Sequence, residues 1–303
     1  MLVDASIWIF RAHFSLPETL RDDAGRPAAA LQGWAGVLLD ELARAPDRLG
    51  IAFDEALFTG FRHRLYPPYK ADRALPDDDL AHQLLAARRL ADALGLCCAA
   101  SDEYEADDLV ATAAARARAA GAAVEIVSRD KDLLQSVRAP GDCMRAADGA
   151  RRFGLTEAEA RFGVPTPLIP DLQALAGDAI DGIPGIRGVG ERTAARLVER
   201  HGALEALYAA LDRDGAAALE GLRGASGLAA RLLEAREAAF LYRELTRARG
   251  DAEVDFAPHA APSPRPLRAR VENALAEVGL GGRFRARLAR FPVGEEHGDA
   301  PAV

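Results

Sequence analysis

The sequence has little cysteine, little tryptophan or methionine, and no excess of positive charge. Its three cysteines, Cys97, Cys98 and Cys143, make an odd count with no CxxC pair. That excludes a disulfide scaffold and fits a reduced, cytoplasmic setting. The six histidines, at 13, 63, 82, 201, 259 and 297, are scattered, with no spacing of the zinc-ligand kind. No run approaches the roughly 18 apolar residues of a membrane span. The start, Met1-Leu2-Val3-Asp4, meets an acid at once and has no basic region, so no signal peptide is expected. No internal repeat is visible. A formal net charge of −8 excludes a protein that holds nucleic acid by bulk charge, although a local basic strip beside an acidic site stays open. Half of the 303 residues are hydrophobic, enough for a sizeable core in one large domain or two.

The chain is organised around residues 101–132. Ser101-Asp102-Glu103-Tyr104-Glu105-Ala106-Asp107-Asp108 opens an Ala-rich helical stretch, and Val124-Glu125-Ile126-Val127-Ser128-Arg129-Asp130-Lys131-Asp132 closes it. Two acidic knots thus stand about one βαβ crossover apart. Crowded carboxylates repel and raise one another's pKa, which suggests that a divalent cation belongs there. Taken alone, Glu105, Asp107 and Asp108 read equally as an ordinary charged helix start.

Other stretches weigh on that choice. Leu2-Val3 ends at Asp4, and the strand-like residues 48–53 end at Asp54. Helices are expected over 6–14, 28–44, 79–94 and 106–120, and strands over 95–100 and 123–128. Asp148-Gly149 between short runs signals a hairpin. Strands alternating with helices predict an α/β domain with a mostly parallel sheet, whose ligands bind beyond the carboxyl ends of the strands. Asp4, Asp54, the 105–108 group and the 130–132 pair each follow such an end. A shared metal site explains four such placements better than chance does.

Two further stretches carry chemistry. Residues 61–73, Phe61-Arg62-His63-Arg64-Leu65-Tyr66-Pro67-Pro68-Tyr69-Lys70-Ala71-Asp72-Arg73, interleave bases with aromatics. They suit phosphate and splayed-base contact, or are a basic surface loop. From Leu155 the chain turns helical. Residues 177–197 read as helix, Gly-rich hairpin, helix, with Arg187, Arg192 and Arg196 alongside. Glycines and a helix N-terminus at Gly190–Arg192 suit a phosphate backbone; the plain alternative is a helix–helix turn. Residues 251–266 are Pro-rich and extended, 267–279 helical, and a tail from Gly294 is expected to be disordered.

With these residues in place, the chain resembles the bacterial 5′→3′ exonuclease and flap endonuclease family. The likeness runs in order through Val3-Asp4, Phe53-Asp54, Phe61-Arg62, Tyr69-Lys70-Ala71-Asp72-Arg73, Glu105-Ala106-Asp107-Asp108, Asp130-Lys131-Asp132, Gly177-Asp178 with Asp181, and Ile183-Pro184-Gly185-Ile186-Arg187-Gly188-Val189-Gly190-Glu191-Arg192-Thr193-Ala194. It covers roughly residues 2–285 and looks like a stand-alone member. The resemblance implies a PIN-like fold and two Mg²⁺ or Mn²⁺ ions. One would be held by Asp4, Asp54, Glu105, Asp107 and Asp108, the second would add Asp178 and Asp181, and Asp130 and Asp132 lie near both. Lys70 and Arg73 match the family's contacts to the scissile phosphate, and Lys70, Arg73, Asp107, Asp108 and Asp130 form the implied catalytic set. Arg62, Tyr66 and Tyr69 would meet DNA, Tyr69 by stacking. Gly185, Arg187, Gly188, Gly190, Arg192 and Thr193 would grip duplex. Carbonyls of Leu175, Ala176, Pro184, Ile186 and Val189 match those that hold K⁺. Arg129 stands where the family usually has Gly, and Gly182 where it has Asn.

The implied organisation is a catalytic α/β domain at 1–160 with an arch at about 58–85, and a helix-hairpin-helix region at 161–246. A segment at 247–290 would pack back, and 291–303 would be a flexible tail. The implied substrate is DNA with a 5′ flap, nick or free 5′ end, met by a monomer. Two rivals remain: a ribonuclease of the related small acidic-site fold, which the 160–246 region disfavours, and a non-catalytic DNA-structure binder.

Overall fold

Six strands of three residues each build the sheet: β1 (Leu2–Asp4), β2 (Gly50–Ala52), β3 (Cys97–Ala99), β4 (Glu125–Val127), β5 (Cys143–Arg145) and β6 (Arg152–Gly154). Their order is β3-β2-β1-β4-β5-β6. All neighbours are parallel except β5 and β6, the expected hairpin. The computed structural model describes residues 1–56, 58–149 and 151–293. The expected tail from Gly294 lies outside them.

Strand side chains alternate faces, and the core divides accordingly. Val3, Ile51 and Val127 meet helices α1 (Ala5–Ser15), α2 (Ala29–Leu42) and α4 (Asp78–Ala93). Leu2, Ala52 and Ile126 face the other way, toward α5 (Ala106–Ala119). A short helix α3 (Phe61–Leu65) precedes α4. Trp34 of α2 is fully buried, and its Nε1 donates to Ala87 O at 3.2 Å, so the indole does not strand a donor.

Beyond β6 follow α6 (Leu155–Phe162), α7 (Ile169–Ala176), α8 (Glu191–His201), α9 (Leu204–Asp214), α10 (Ala225–Glu234) and α11 (Arg236–Thr246). Then α12 (Arg268–Glu277) and α13 (Arg285–Leu288) return to the α2–α4 side. Residues 291 and 292 are anchored rather than part of a flexible tail. Phe291 is buried in the core, and Arg268 N donates to Pro292 O at 2.9 Å. Among the described residues no helix is long and apolar enough to cross a membrane.

The sheet order places a topological switch beside β1. The chain leaves β1 for β2 and β3 on one side, then returns for β4 on the other. The carboxyl ends of β1 and β4 therefore diverge into a crevice, where such sheets take their ligands. The acids there also start the elements that follow. Asp4 Oδ1 accepts from Ile7 N at 3.3 Å at the start of α1, and Asp130 Oδ1 accepts from Asp132 N at 2.9 Å at the start of a 3-10 turn over 131–136.

Between α7 and α8 the chain forms a tight hairpin, with Asp178 and Ile183 exchanging backbone hydrogen bonds at 2.8 Å. Gly185 lies at φ +66, and a Cβ there would stand 2.4 Å from Gly177 N. Only glycine fits both the left-handed backbone and the close approach.

Candidate metal centre

One cleft of about 570 Å³ opens at the switch point. Its lining includes Asp4, Asp54, Glu105, Asp107, Asp130, Asp132, Asp178 and Asp181, together with Lys70, Arg73 and Lys131. Eight of the nine acids named from the sequence thus share one wall system, drawn from segments up to about 180 residues apart. They arrive by five routes: Asp4 at the end of β1, Asp54 after β2, Glu105 and Asp107 at the head of α5, Asp130 and Asp132 after β4, and Asp178 and Asp181 in the hairpin.

Hydrogen bonds set the orientation of several. Ser128 Oγ donates to Asp4 Oδ2 at 2.9 Å and accepts from Asp130 N. Ser6 Oγ accepts from Asp54 N at 2.7 Å. Lys70 Nζ lies 2.8 Å from Glu105 Oε1 and 3.8 Å from Asp181 Oδ2, and Arg73 Nη2 lies 2.8 Å from Asp181 Oδ1. Lys131 Nζ is 3.4 Å from Asp178 Oδ2.

Charge is unbalanced in this cleft, and it shifts the carboxyl pKa values. Burial, then the Asp130 charge, push Asp4 from 3.8 up to about 7. Burial and Asp130 likewise lift Asp132 to about 7, and burial with Glu105 lifts Asp54 to about 6. Asp107 is also raised, by burial and by Asp130 and Asp4. Burial works on Glu105 in the same direction, but Lys70 and Arg62 outweigh it and hold that carboxyl at about 2. Eight carboxylates face three cations, so most of the acids have no cationic partner of their own.

These residues fit a divalent cation in chemistry: hard, crowded carboxylate oxygens are the donors Mg²⁺ and Mn²⁺ prefer. Among the described residues no three acidic, His or Cys side chains already converge into a finished cage. The carboxylates instead turn toward Ser128, Lys70 and Arg73.

The crowding has a measurable signature. Between 3.8 and about 7 the folded chain holds protons on Asp4 and Asp132 that the unfolded chain has lost. Stability in EDTA therefore falls as pH rises through that window. Melting in EDTA should be higher at about pH 5.5 than at about pH 8, and Mg²⁺ should recover the loss at the higher pH. Equal melts at the two pH values would contradict the crowding.

Three expectations need correction. Asp108 is 0% exposed and absent from the cleft lining. Its oxygens take Arg62 Nη1 at 2.6 Å and Arg62 Nη2 at 2.8 Å, and also accept from Glu105 N and Arg249 N. It is a buried structural acid. Arg62, expected at DNA, is 4% exposed and additionally donates to Leu245 O and Arg247 O, which fastens α3 to the end of α11. Tyr69, expected to stack on a base, is 2% exposed; its hydroxyl donates to Glu105 Oε2 at 3.0 Å. Tyr66 is half-buried, packed edge-on against Tyr242 at 5.9 Å, and keeps part of its ring at the surface.

The basic segment is also pinned to the hairpin. Lys70 N donates to Asp181 O at 3.0 Å, and a Cβ on Gly182 would stand 2.8 Å from Pro68 O. Glycine at 182 therefore serves this close approach. Arg129 Nη1 points to Asp148 Oδ2 at 3.8 Å, which takes its charge toward the β5–β6 turn rather than into the cleft.

On the hairpin, Ile183, Ile186 and Val189 are buried while Arg187, Gly188, Gly190 and Arg192 are exposed. Thr193 is half-buried in the first turn of α8. Gly190 precedes α8, and nothing lies within 4 Å of the position its Cβ would take. Of the five carbonyls matched to a K⁺ site, Leu175 O accepts from Ile186 N and Ile186 O accepts from Val189 N. Those of Ala176, Pro184 and Val189 lie in the same turn.

Sequence reasoning passed over Ser6, Ser128 and Gln173, whose Nε2 donates to Asp132 Oδ1. A hydroxyl two residues before Asp130 was a readable sign for Ser128. Gln173 gave none, because its partner lies 41 residues away.

Two family models match the chain: "5′-3′ exonuclease, N-terminal resolvase-like domain" over residues 1–163 and "5′-3′ exonuclease, C-terminal SAM fold" over 164–268. DNA polymerase I of Rhizobium leguminosarum is 37% identical over 84% of this chain, and the thermostable DNA polymerase I of Thermus thermophilus 34% over 92%. The chain spans 25% and 33% of those two proteins. In fold it is similar to T5 5′-exonuclease (TM-score 0.60, 19% identity, 96% of each chain). It is also similar to the catalytic core of Rad2 (TM-score 0.61, 14% identity, 96% of this chain and 90% of that one). The fold is thus the PIN-like one, a mostly parallel sheet followed by a helical region. With both models matched in sequence across residues 1–268, the chain belongs to the 5′-3′ exonuclease family.

Proposed function

We propose that this chain is a structure-selective 5′ nuclease. It hydrolyses DNA phosphodiester bonds at flaps, nicks or free 5′ ends, leaves 5′-phosphate and 3′-hydroxyl products, and serves replication or repair in the cytoplasm. One observation carries the reading: eight carboxylates from five segments meet three cations in a single cleft beside a glycine-rich hairpin. The T5 relative is described with zinc bound and the Rad2 core in complex with DNA substrate, which supports the same reading.

Asp4, Asp54, Glu105, Asp107 and Asp130 would hold one divalent ion, and Asp132, Asp178 and Asp181 a second. Two such ions, Mg²⁺ or Mn²⁺, supply an activated water and charge neutralisation at the leaving oxygen. The chain itself supplies the placement. Lys70 stays charged because Glu105 and Asp181 oppose the burial that would discharge it. It offers a cation where negative charge develops on the phosphate. Arg73, half exposed, can reach a flanking phosphate. Arg187, Arg192 and the amides at the start of α8 would hold the duplex backbone, with Thr193 beside them. K⁺ on the carbonyls of that turn would extend the grip.

The decisive assay is a 5′-flap oligonucleotide labelled at its 3′ end, incubated in Mg²⁺ and in EDTA. Cleavage near the flap junction in Mg²⁺ alone is expected. Intact DNA in Mg²⁺ and Mn²⁺, with a clear gel shift, would make the protein a DNA-structure binder instead.

The hairpin has its own test. Gly190 has an extended backbone (φ −96) and open space around it, so Gly190→Val should cost only the poorer N-cap preference of valine, about 1 kcal/mol, and leave the protein folded. The added side chain should keep a phosphate off the α8 amides and weaken duplex affinity about tenfold, the value of one charge-assisted hydrogen bond. Unaltered affinity by fluorescence anisotropy would remove the hairpin from DNA binding.

A further inference from the structure

Helix α7 directs one polar side chain at the metal centre to which the proposed function assigns no task. Gln173 is 4% exposed, set between the buried Leu172 and Ala174. Its Nε2 donates to Asp132 Oδ1 at 2.5 Å, while its Oε1 is buried with no partner among the described residues. A half-satisfied amide costs about 1–3 kcal/mol relative to a satisfied one. Leucine or methionine would fill the same space without that loss, so packing alone does not account for a glutamine here.

The geometry around Asp132 supplies a reason. Asp132 follows β4 at the start of the 3-10 turn, and its own N–H is held by Asp130 Oδ1 at 2.9 Å. The backbone of Asp132 is thereby fixed by its neighbour, but its carboxylate would still rotate about the Cβ–Cγ bond. Gln173 stops that rotation by taking one oxygen and leaves the other to the cleft. The amide also comes from a particular place. Three residues after Gln173, α7 ends at Ala176, and Gly177 and Asp178 open the hairpin. Helix α7 is therefore a short strut between the hairpin and Asp132. Lys131, on the other side, reaches Asp178 at 3.4 Å, so the strut and the turn after β4 are joined at both ends.

We infer that Gln173 is a positioning residue. It fixes the carboxylate of Asp132 for a divalent cation and ties that carboxylate to the helix that leads into the DNA-gripping hairpin. This rests on the metallonuclease reading above. Groups that orient a metal-binding carboxylate without touching the ion commonly account for ten- to a hundredfold of its affinity.

The test titrates Mn²⁺ into the DNA-free protein by calorimetry, comparing the parent with Gln173→Met and Gln173→Asn. Methionine keeps the volume and removes the donor, and asparagine keeps the amide but is one methylene short. Both should weaken Mn²⁺ binding by about tenfold, with flap-DNA affinity in EDTA unchanged. In turnover assays the Mg²⁺ midpoint of kcat should rise in parallel, with KM for DNA unmoved. Should Gln173→Met fail to fold, Gln173→Asn carries the comparison. Parent-like Mn²⁺ isotherms in the folded variants would overturn the inference and leave the nuclease reading standing. So would a lower melting temperature with an unmoved Mg²⁺ midpoint, since that outcome makes Gln173 a packing residue. A parent protein that binds no Mn²⁺ would overturn the nuclease reading itself.

Discussion

Asp108→Ala melts about 10 °C below the parent protein, whereas Asp107→Ala melts in EDTA at or above it. The two acids are adjacent in sequence and opposite in consequence. Asp108 is fully buried and accepts both arms of the Arg62 guanidinium. Deleting one partner of a buried pair leaves an uncompensated charge and costs about 3–5 kcal/mol, equivalent to roughly 10 °C in a chain of this size. Arg62 also holds the carbonyls of Leu245 and Arg247, so the loss would loosen the attachment of α11 to the sheet domain. Asp107 sits in the cleft, where burial and the charges of Asp130 and Asp4 raise its pKa. Its removal relieves repulsion in the metal-free protein while deleting a candidate ligand, so cleavage stops as stability holds. A calorimetric scan of the two variants decides the matter. Equal melting temperatures would mean that Asp108 is not the structural acid described above.

Lys70→Ala lowers kcat by about 10²–10³-fold, the usual cost of deleting one donor aimed at developing charge, with KM for flap DNA little altered. Lys70 is buried between Glu105 and Asp181, and its backbone is left-handed at φ 51. Such a conformation in a residue other than glycine costs on the order of 1 kcal/mol and is kept where surrounding structure imposes it. Lys70→Gly separates the two features, because it removes the side chain and relieves the backbone together. It should lose turnover as Lys70→Ala does while melting higher than Lys70→Ala. Parent-like turnover in both variants would take Lys70 out of the chemistry.

The contrast between Asp107 and Asp108 also marks where the sequence stops being legible. Short strands between clear helical periods were visible, and so was the habit of four of them to be followed by acids. Those two facts place the cleft beyond the carboxyl ends of the strands before any coordinates; the strand order then puts it at the switch point. Which acid of a pair faces it was not visible. Successive helical residues point about 100° apart, so Asp107 and Asp108 at the head of α5 must diverge, but which one looks inward depends on Arg62. Arg62 and Tyr69 misled for a related reason. A run of bases and aromatics reads as a surface, yet Arg62 is covered by carbonyls some 183 and 185 residues away. Tyr69 is covered by Glu105 and Ile183. Long-range burial of this kind leaves no local periodicity.

The central place of β1 has a consequence for how the chain comes together in time. Residues 2–4 are synthesised well before either of their partner strands: they pair with β2 at residues 50–52 and with β4 at 126–127. On an emerging chain β1 has one neighbour after some fifty residues and its second only when more than twice that length is out. Contacts so distant in sequence form late and slowly. The carboxylate crowd that burdens Asp4 cannot exist before then, and Asp178 and Asp181 join it later still. The nascent chain therefore reaches the repulsive arrangement only when most of the core that must restrain it is already in place.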